Sequence, residues 1–540
     1  MPNLTDSKGN VPSIAQNSKS ENKTKNDFFI ALGHHDLGHY FYGKRSKSLI
    51  RMTTFGTHQF LMLAPKHFWT THFPSERSAI DTLAATDYLI KQSLAVGSFN
   101  VSRVRGTGVW LDVGRVVLNT GEELLVNGET RAFESMDSRF HYIQTANRLP
   151  PIHKRSLTAK EGIALQKICD SFNWRNKKDA QLVAGWLMLA RVAGALPIRP
   201  HIWITGGKGT GKSTVMEMLI NPCLGDSEGR LFLQGASTEA GIRQSLGVSA
   251  LPIMFDEFET TDDKASARRI ASVIELLRSA WSQTSGRIRK GTPSGTALEY
   301  ALNFAACLSS IRVKLDNDAD ESRVSVLELA PHGKNSQDSW GALLKNIEMV
   351  TETFGERLFS RACEKVPDIL ACYSVLSQAL AALTSQRYGQ QIGMLLAANW
   401  MLQHDVVITK AQASVVAANF VAGEELAEGL SDEEECLNWL LTWKLQIEGH
   451  DYMLGSLIKH GEKYRHEALN MFGVKIKGEL FTVSNNHSEL AKHFQSTRWA
   501  KHWSKALQRL PGAVMSDNST YGSRKFKSRG ISIPIANIED

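Results

Sequence analysis

Two clusters of residues near the middle of the chain have the types and spacing that phosphate chemistry requires. The first runs from Gly206 to Ser213 and matches the pattern G-x-x-x-x-G-K-[S/T] throughout. Glycine in such a turn allows positive φ angles, which aim successive backbone N–H groups at phosphate oxygens. We expect four residues to curl the backbone in this way: Gly206, Gly207, Gly209 and Gly211.

The end of this loop carries a charge and a hydroxyl group. Lys212 is placed to contact the β- and γ-phosphates of ATP, and the hydroxyl of Ser213 to bind Mg²⁺. His201–Thr205 precedes the loop as a short apolar strand, and a helix from Thr214 adds its positive dipole end to the anion site. The predicted ATP-binding residues are Gly206, Gly207, Lys208, Gly209, Thr210, Gly211, Lys212, Ser213 and Thr214.

The second cluster follows some forty residues later, where the apolar run that begins at Leu251 ends in two acids, Asp256 and Glu257. A buried parallel strand delivers carboxylates at its C-terminal edge in this way. Asp256 is predicted to hold Mg²⁺ through water and Glu257 to polarise the water that attacks the γ-phosphate. Together the two clusters predict an ATP hydrolase; the alternative is that the acids only end a strand.

Bulk composition permits this chemistry without specifying a partner. The chain has 540 residues, enough for three or four domains, and a net charge of +7, so a polyanionic partner is allowed but not required. Its six cysteines form no C-x-x-C pair, which argues against a zinc ribbon or a disulfide framework. We see no apolar run of about 18 residues and no signal sequence, and expect a cytoplasmic protein without a membrane partner.

The N-terminal third divides into two predicted segments. Residues 1–26 are polar and are expected to form a disordered leader. Residues 27–155 read as a β-rich accessory domain with one helical insert near 78–97, and the segments HQFLMLA and HFWTTHFP are included among its strands. The aromatic residues of HFWTTHFP are either sheet core or a platform that stacks nucleic-acid bases.

Three further segments complete the predicted organisation. Residues 156–335 form the ATPase domain with its lead-in helices, and residues 336–430 form a helical lid or packing region. Residues 431–540 read as a winged-helix-like domain followed by a basic tail, GSRKFKSRGISIPI. This last domain either contacts DNA or serves as an oligomerisation cap.

Two sets of polar residues between the acids and the lid are further candidates. The segment GRIRKGTPSGTALEYAL alternates like a hairpin and places Arg287, Arg289 and Lys290 beside its tip. These cations either grip DNA phosphates from inside a ring or belong to a solvated surface loop. Ser309 and Ser310 end the next apolar strand, where a hydroxyl group can sense the γ-phosphate or orient water.

A lone arginine, Arg323, follows an acidic loop and opens another strand. An arginine there could enter the nucleotide site of a neighbouring subunit and stabilise charge that develops on the γ-phosphate. The alternative is a local ion pair with Asp320 or Glu321.

The segments GGKGTGKS, STEAGIRQ, IMFDEFE, RKGTPSG, SSI and ADESRVSVLEL occur in this order and spacing. Together they resemble the AAA+ ATPase module of superfamily-three-like replicative helicases and helicase-primases of phages, plasmids and integrated mobile elements. The resemblance implies an α/β fold with a central P-loop parallel sheet, flanked by a β-rich N-terminal domain and a helical, winged-helix-like C-terminal part.

The resemblance also assigns roles residue by residue. It matches Lys212 and Ser213 to the Walker A motif, Asp256 and Glu257 to Walker B, and the Ser309/Ser310 pair to the first sensor. It matches Arg323 to the arginine finger acting in trans and Lys290 to the hairpin that binds DNA. The sequence departs from the family where serine replaces the sensor asparagine that many relatives have. It also lacks recognisable primase acids, so a companion primase would be a separate protein.

The sequence therefore predicts an ATP-dependent DNA helicase that acts as a ring on single-stranded or forked DNA. We expect the ring to be a homo-hexamer. Two alternatives stay open. One is a DNA-bound AAA+ loader or regulator that does not unwind; the other is a nucleotide-binding scaffold, which the Asp256–Glu257 pair disfavours.

Overall fold

The computed structural model describes residues 26–538 with gaps. The residues outside the description are 1–25, 136, 226–228, 235–236, 257, 259–263, 283–287, 292–296, 301, 312, 314, 316–317, 332–336, 423–431, 462, 496, 498, 501, 523–525 and 539–540. The predicted disordered leader, apart from Asn26, lies outside the described residues. Two compact units make up the chain, Met1–Asn419 and Phe420–Asp540, and each is described by itself.

The N-terminal part of the first unit holds nine strands and three helices in its described residues. The strands are β1 (Phe29–His35), β2 (Gly38–Gly43), β3 (Ser48–Met52), β4 (Val104–Arg105), β5 (Gly108–Asp112), β6 (Arg115–Asn119), β7 (Leu124–Val126), β8 (Glu129–Arg131) and β9 (His141–Tyr142). The helices are α1 (Thr57–Leu63), α2 (Lys66–His72) and α3 (Thr82–Val96). Antiparallel meanders β1-β2-β3 and β5-β6-β7-β8 form the two larger sheets.

The predicted strands HQFLMLA and HFWTTHFP are wrong, because these segments form α1 and α2. Their buried residues, Phe60 and Leu63 in one and Phe68 and Trp69 in the other, follow helical rather than alternating spacing. The indole Nε1 of Trp69 donates to the carbonyl oxygens of Phe60 and Ala64, which joins the two helices. These aromatic side chains are core, so they offer no exposed stacking platform. The predicted helical insert corresponds to α3, capped by Asp81.

A five-stranded parallel sheet forms the centre of the first unit. Its strands are β10 (His201–Gly206), β11 (Leu231–Gln234), β12 (Ile253–Asp256), β15 (Ala306–Ser310) and β16 (Val324–Leu329), and their spatial order is β11-β12-β15-β10-β16. The hairpin β13 (Ile288–Gly291) and β14 (Ala297–Tyr300) stands outside this sheet. Near-continuous apolar sequence on β10, β12 and β15 is buried on both faces, as parallel sheets require.

Eleven helices accompany this sheet in the described residues. They are α4 (Ala159–Asp170), α5 (Asp179–Leu189), α6 (Lys212–Thr214), α7 (Asn221–Leu224), α8 (Glu239–Leu246), α9 (Lys264–Ala280), α10 (Asp318–Glu321), α11 (Gln337–Ile347), α12 (Glu352–Leu383), α13 (Gln386–Gln403) and α14 (Lys410–Val421). The mixed α/β class is thus as predicted. Thr238 caps α8, since its side chain accepts a hydrogen bond from the N–H of Gly241.

Buried polar groups tie the first residue of β10 to its surroundings. The His201 ring accepts a hydrogen bond at Nδ1 from the N–H of Ala306 on β15, so its Nε2 donates to the carbonyl of Leu277 on α9. Gln391 of α13 donates to the carbonyl oxygen of His201 and to the hydroxyl of Ser325 on β16, and its Oε1 accepts from the indole of Trp281. These bonds fix the register of three neighbouring strands at one edge of the sheet.

One helix of the described residues, α12, is long and apolar enough to cross a membrane by length and composition alone. This differs from the expectation that no apolar run would approach that length. The helix packs against α13 and carries the buried Arg361, whose guanidinium donates to the carbonyl oxygens of Leu157, Met401 and His404.

The second unit contains five helices and six strands in its described residues. The helices are α15 (Asp432–Leu441), α16 (Leu454–His460), α17 (Lys463–Ala468), α18 (Ser488–Phe494) and α19 (Trp503–Leu507); the strands are β17 (Lys444–Ile447), β18 (His450–Met453), β19 (Val474–Lys477), β20 (Leu480–Ser484), β21 (Val514–Tyr521) and β22 (Phe526–Pro534). A four-stranded sheet has the order β19-β20-β22-β21, and β17 pairs with β18.

The predicted basic tail is wrong over Phe526–Pro534, because this segment is an inner strand of that sheet. Ile531 and Ile533 alternate into the core beside Phe481 and Val483, while the charged residues precede them. The segment GVKIKGELFTVS contains the antiparallel pair β19–β20.

The burial of His201 predicts an acid-sensitive step in the stability of the first unit. Burial lowers the pKa of His201 to about 4. The unfolded chain therefore binds a proton that the folded chain does not, and stability falls as the pH drops from about 6.5 to about 4. We expect His201→Gln to remove about 3 kcal/mol of this fall.

The measurement is the free energy of unfolding by urea across that pH range. His141, whose pKa burial also lowers to about 4, adds a loss of the same sign in both proteins. The matched control is His58→Gln, at an exposed position on α1, which should leave the pH profile unchanged. An equally steep profile in His201→Gln would contradict the role of His201.

Candidate nucleotide-binding site

The glycine-rich loop connects the C-terminal end of β10 to the helix that begins at Lys212. Gly206, Gly209 and Gly211 have φ angles of 147°, 75° and 94°, so the backbone turns through conformations that favour glycine. A Cβ on Gly206 would lie 2.6 Å from the carbonyl oxygen of Leu329 on β16. The expectation for Gly207 is wrong, because its φ is not positive and a Cβ there would meet only Thr210, at 3.9 Å.

Lys212 lies over the loop that precedes it. Its Nζ donates to the carbonyl oxygens of Gly206, at 2.6 Å, and of Gly207, at 2.9 Å. Thr210 is buried and its hydroxyl donates to the carbonyl of Gly207, whereas Lys208 is exposed. The loop is thus held by its own lysine and threonine, with the ammonium group inside the turn.

The helix after the loop presents one face to solvent at its start. Gly211, in the left-handed conformation, is the N-cap, and the hydroxyl of Ser213 is exposed in the first turn beside the half-buried Thr214. From Val215 to Ile220 the helix takes a π conformation before it continues as α7. π turns occur mostly as single insertions in α-helices, often at functional sites.

Asp256 is the last residue of β12 and lies at the same edge of the sheet as the loop. Phe255 pairs with Leu308 on β15, and Leu308 pairs with Trp203 on β10, so one strand separates Asp256 from the loop strand. That separation is about 10 Å, two strand spacings. Burial and the charge of Asp256 raise the pKa of the Cys307 thiol on the intervening strand, which is consistent with this placement.

Glu257 lies outside the described residues, but both of its neighbours are held firmly. The N–H of Phe258 donates to the carbonyl of Ser309 at 2.9 Å, across the end of the intervening strand. The Phe258 ring is buried; its centre lies 5.4 Å from that of Trp203, in an edge-on contact, and 5.3 Å from that of Phe255, in a tilted one. The backbone on each side of Glu257 is therefore fixed at the loop edge.

Ser309 and Ser310 end β15 between the loop strand and the acidic strand, and both are buried. The hydroxyl of Ser310 accepts a hydrogen bond of 2.8 Å from the indole Nε1 of Trp203. Ser309 contributes its carbonyl oxygen to Phe258, as described above. The pair thus connects the glycine-rich loop strand and the acidic strand through the strand that separates them.

The residues at this edge fit Mg²⁺ by the chemistry of their donors. A hydroxyl oxygen from Ser213 and a carboxylate from Asp256 are the hard oxygen ligands that Mg²⁺ prefers, with water and phosphate oxygens supplying the rest. Among the described residues no group of three or more His, Cys, Asp and Glu side chains could hold a metal by itself.

Arg323 is brought to the opposite edge of the sheet. It precedes β16, whose first residue Val324 pairs with His201, whereas the last residue Leu329 pairs with Gly206. Six residues of strand place Arg323 about 20 Å from its own glycine-rich loop. The guanidinium lies 5.4 Å from the ring centre of Trp281, and burial, then the charges of Arg387 and Arg278, lower its pKa.

Asp320 was the expected partner of Arg323 in the local alternative. Its carboxylate accepts hydrogen bonds of 2.8 and 2.7 Å from Arg278 of α9, and the N–H of Arg323 donates to its carbonyl. Arg323 therefore lies close enough to Arg278, Arg387 and Asp320 for the charge of each to act on it.

The hairpin predicted for the DNA-binding cations is formed by β13 and β14. The two strands are antiparallel, and each residue from Ile288 to Gly291 on β13 pairs with one on β14. Within this register Arg289 pairs with Glu299 and Lys290 with Leu298. Arg287, the side chains of Arg289 and Lys290, and the turn 292–296 lie outside the described residues.

Sequence reasoning missed Trp203, Phe258 and Gln391, the residues that position the site. Trp203 and Phe258 lie within the motif segments and could have been noticed as large side chains beside catalytic residues. Gln391 has no such signal, because it is more than 180 residues from the strand that it contacts.

No protein-family model matches the chain, and no curated protein does. Among solved structures, "SCCmec type IV Cch - active helicase" is 12% identical, with 94% of this chain and 93% of that chain covered and a TM-score of 0.47. "The apo structure of NrS-1 C terminal region (305-718)" is 13% identical over 78% and 95%, with a TM-score of 0.33. A structure of JCV helicase is 13% identical over 48% and 65%, with a TM-score of 0.22. Because all three scores are below 0.5, we base the assignments on the chain's own geometry.

Proposed function

We propose that this chain binds ATP with Mg²⁺ and hydrolyses it, and that a ring of copies uses the hydrolysis to unwind DNA. The observation that carries the proposal is the meeting of the glycine-rich loop and Asp256 at one edge of the parallel sheet, one strand apart. The motif resemblance adds the setting, which is the replication system of a phage or mobile element with a separate primase.

Different residues at this edge of the sheet bind the phosphates, activate water and hold the metal in this proposal. Lys212 leaves its carbonyl partners on Gly206 and Gly207 to bind the β- and γ-phosphates, while the helix start at Ser213 faces the same anion. Glu257, the residue between Asp256 and Phe258 in the sequence, accepts a proton from the attacking water. Mg²⁺, when bound by Ser213 and through water by Asp256, neutralises charge on the phosphate oxygens.

Arg323 serves a second copy of the chain in this proposal. A side chain about 20 Å from its own loop cannot reach its own nucleotide, but it can meet the loop edge of a neighbour. Placement beside Arg278 and Arg387 makes this edge electropositive and suits it to an incoming triphosphate.

The β13–β14 hairpin is the proposed DNA contact. It stands apart from the main sheet and carries Arg289 and Lys290 on one strand. Cations on a projecting hairpin bind backbone phosphates without reading sequence, as a translocating motor requires.

The deciding experiment is strand displacement on 3′- and 5′-tailed forks, with Glu257→Gln and Lys212→Ala as comparisons. We expect ATP-dependent unwinding by the unaltered protein. Glu257→Gln should still bind ATP but lose at least about 100-fold in turnover, because the general base is gone. Lys212→Ala should lose both binding and turnover.

Two outcomes would count against the proposal. ATP hydrolysis stimulated by DNA without strand separation would favour the loader or regulator. Unchanged turnover in Glu257→Gln would remove Glu257 from its role.

Replacement of Arg289 and Lys290 with alanine tests the hairpin. Basal ATP hydrolysis should persist, whereas affinity for single-stranded DNA should fall and the slope of log affinity against log salt should decrease by about 1.4, the value for two lost phosphate contacts. Alanine at Arg77 and Lys91, exposed residues of the N-terminal part, is the matched control and should change neither. Normal DNA affinity in the hairpin variant would reject the assignment.

Mixing two inactive variants tests Arg323. Arg323→Ala keeps its own loop, and Lys212→Ala keeps its arginine, so a random mixture should regain about a quarter of the normal ATP hydrolysis at shared interfaces. Lys212→Ala mixed with the double variant Lys212→Ala/Arg323→Ala should stay inactive. Failure of the first mixture, with assembly intact by light scattering, would make Arg323 a local structural residue.

A further inference from the structure

Arg191 is a buried cation whose hydrogen-bonding groups have no acceptor among the residues that the structure describes, which do not include 226–228. It lies in the 3₁₀ segment Ala190–Ala195 after α5 and is 3% exposed, yet its Nε and both Nη atoms make no hydrogen bond. Burial lowers its pKa to about 10, so the group keeps its charge at neutral pH. A buried charge without a partner is costly, and such groups are normally paired.

The other buried arginines of the described residues differ in this respect. Arg199 donates to Ala193, Ala280 and Asn303, and Arg361 to three carbonyl oxygens and Asp405. Arg243 is paired with Glu239 at 2.6 Å. Arg191 instead has the Phe359 ring at 5.4 Å on one side, which supports a cation but accepts no directed hydrogen bond.

The guanidinium of Arg191 opens onto a cavity of about 430 Å³. Its polar and glycine lining consists of Arg148, Arg191, Gly225, Gly229, Glu352 and Glu356, with Leu149 and Pro150 as the apolar wall. A Cβ on Gly225 would collide with Nη2 of Arg191, and one on Gly229 would lie 3.8 Å from the same atom. The two glycines thus leave open the space in front of the arginine.

This cavity is separate from the nucleotide site described above. Gly225 follows α7 and so marks the far end of the helix that starts at Lys212. Thirteen helical residues place it about 20 Å from the glycine-rich loop. An occupant would contact the helix that leaves the loop, the 3₁₀ segment and the start of α12.

The lining defines the chemistry of an occupant. Arg191 offers a planar array of N–H donors, and Arg148, whose Nε lies 3.3 Å from Glu122, also lines the cavity. The charges of Arg230 and Glu356 both act on Arg191. Such arginine groups recognise phosphate and carboxylate oxygens by paired hydrogen bonds. Glu352 and Glu356 on the α12 wall would accept hydrogen bonds from hydroxyl or amino groups at the other end of a ligand. The volume falls in the range of small-molecule sites.

We propose that this cavity binds the phosphate group of a small molecule, with the phosphate on Arg191 and any hydroxyl or amino groups facing Glu352 and Glu356. Free orthophosphate and the phosphate of a nucleoside monophosphate share this chemistry. The inference does not depend on ATP hydrolysis at the glycine-rich loop.

The test is calorimetric titration of the full chain with orthophosphate and, separately, with AMP, while saturating MgADP occupies the glycine-rich loop. We expect saturable one-to-one binding of at least one of the two. Arg191→Met should weaken it at least 10-fold by removing the donors. Gly229→Leu should do the same by filling the cavity while Arg191 stays in place, which separates binding from any effect of the arginine on folding.

The matched control is Arg131→Met, an exposed arginine of β8, which should bind as the unaltered protein does. Lys212→Ala should also retain binding, so failure of the nucleotide site and failure of this cavity are distinguishable. Tighter binding of AMP than of orthophosphate would identify the ligand as an organic phosphate. Equal binding of the two would identify it as the free phosphate ion. Absence of binding, or equal binding to both cavity variants, would overturn the proposal.

Discussion

The common direction of five strands is the constraint on which the rest of the structure depends. Because these strands are parallel, everything that follows a strand emerges at the same edge, and β10, β12 and β15 end there in the glycine-rich loop, Asp256 and the serine pair. The strand between loop and acid both separates them and joins them, since Ser310 binds Trp203 and Ser309 binds Phe258. Neither the loop strand nor the acidic strand could shift by one residue without breaking these bonds.

The opposite edge of the sheet is fixed by a different set of bonds. The ring of His201 on β10 forms hydrogen bonds with β15 and α9. The side chain of Gln391 forms hydrogen bonds with β10, with β16 and with the indole of Trp281. Arg323 rests on the same Trp281. Packed and hydrogen-bonded groups therefore connect Arg323, through Trp281 and then Gln391, to His201 at the start of the loop strand.

Local patterns in the sequence were sufficient to predict the features that depend only on residues close together in the chain. The glycine-rich loop, the acidic strand end and the β13–β14 hairpin all depend on neighbouring residues, and each is found. The segments around Phe60 and Trp69 were misassigned because aromatic residues suit strands and helices alike, and packing between α1 and α2 decided the outcome. The strand at Ile531 was missed because lysines and arginines precede it. Gln391 and Arg191 acquire their surroundings from segments far away in the chain, which no local pattern encodes.

The separation of Arg323 from the glycine-rich loop of its own chain has a consequence for symmetry. A contact that joins these two edges from different copies unites two unlike surfaces, so it is heterologous and a two-fold dimer cannot satisfy it. Each copy added through such a contact leaves one surface of each kind uncovered at the two ends of the assembly. This ends only when the rotation between neighbouring copies brings the last copy back to the first. Copies that met through this proposed contact would therefore assemble either into a closed circle or into an open filament, and the angle between the two edges would decide which.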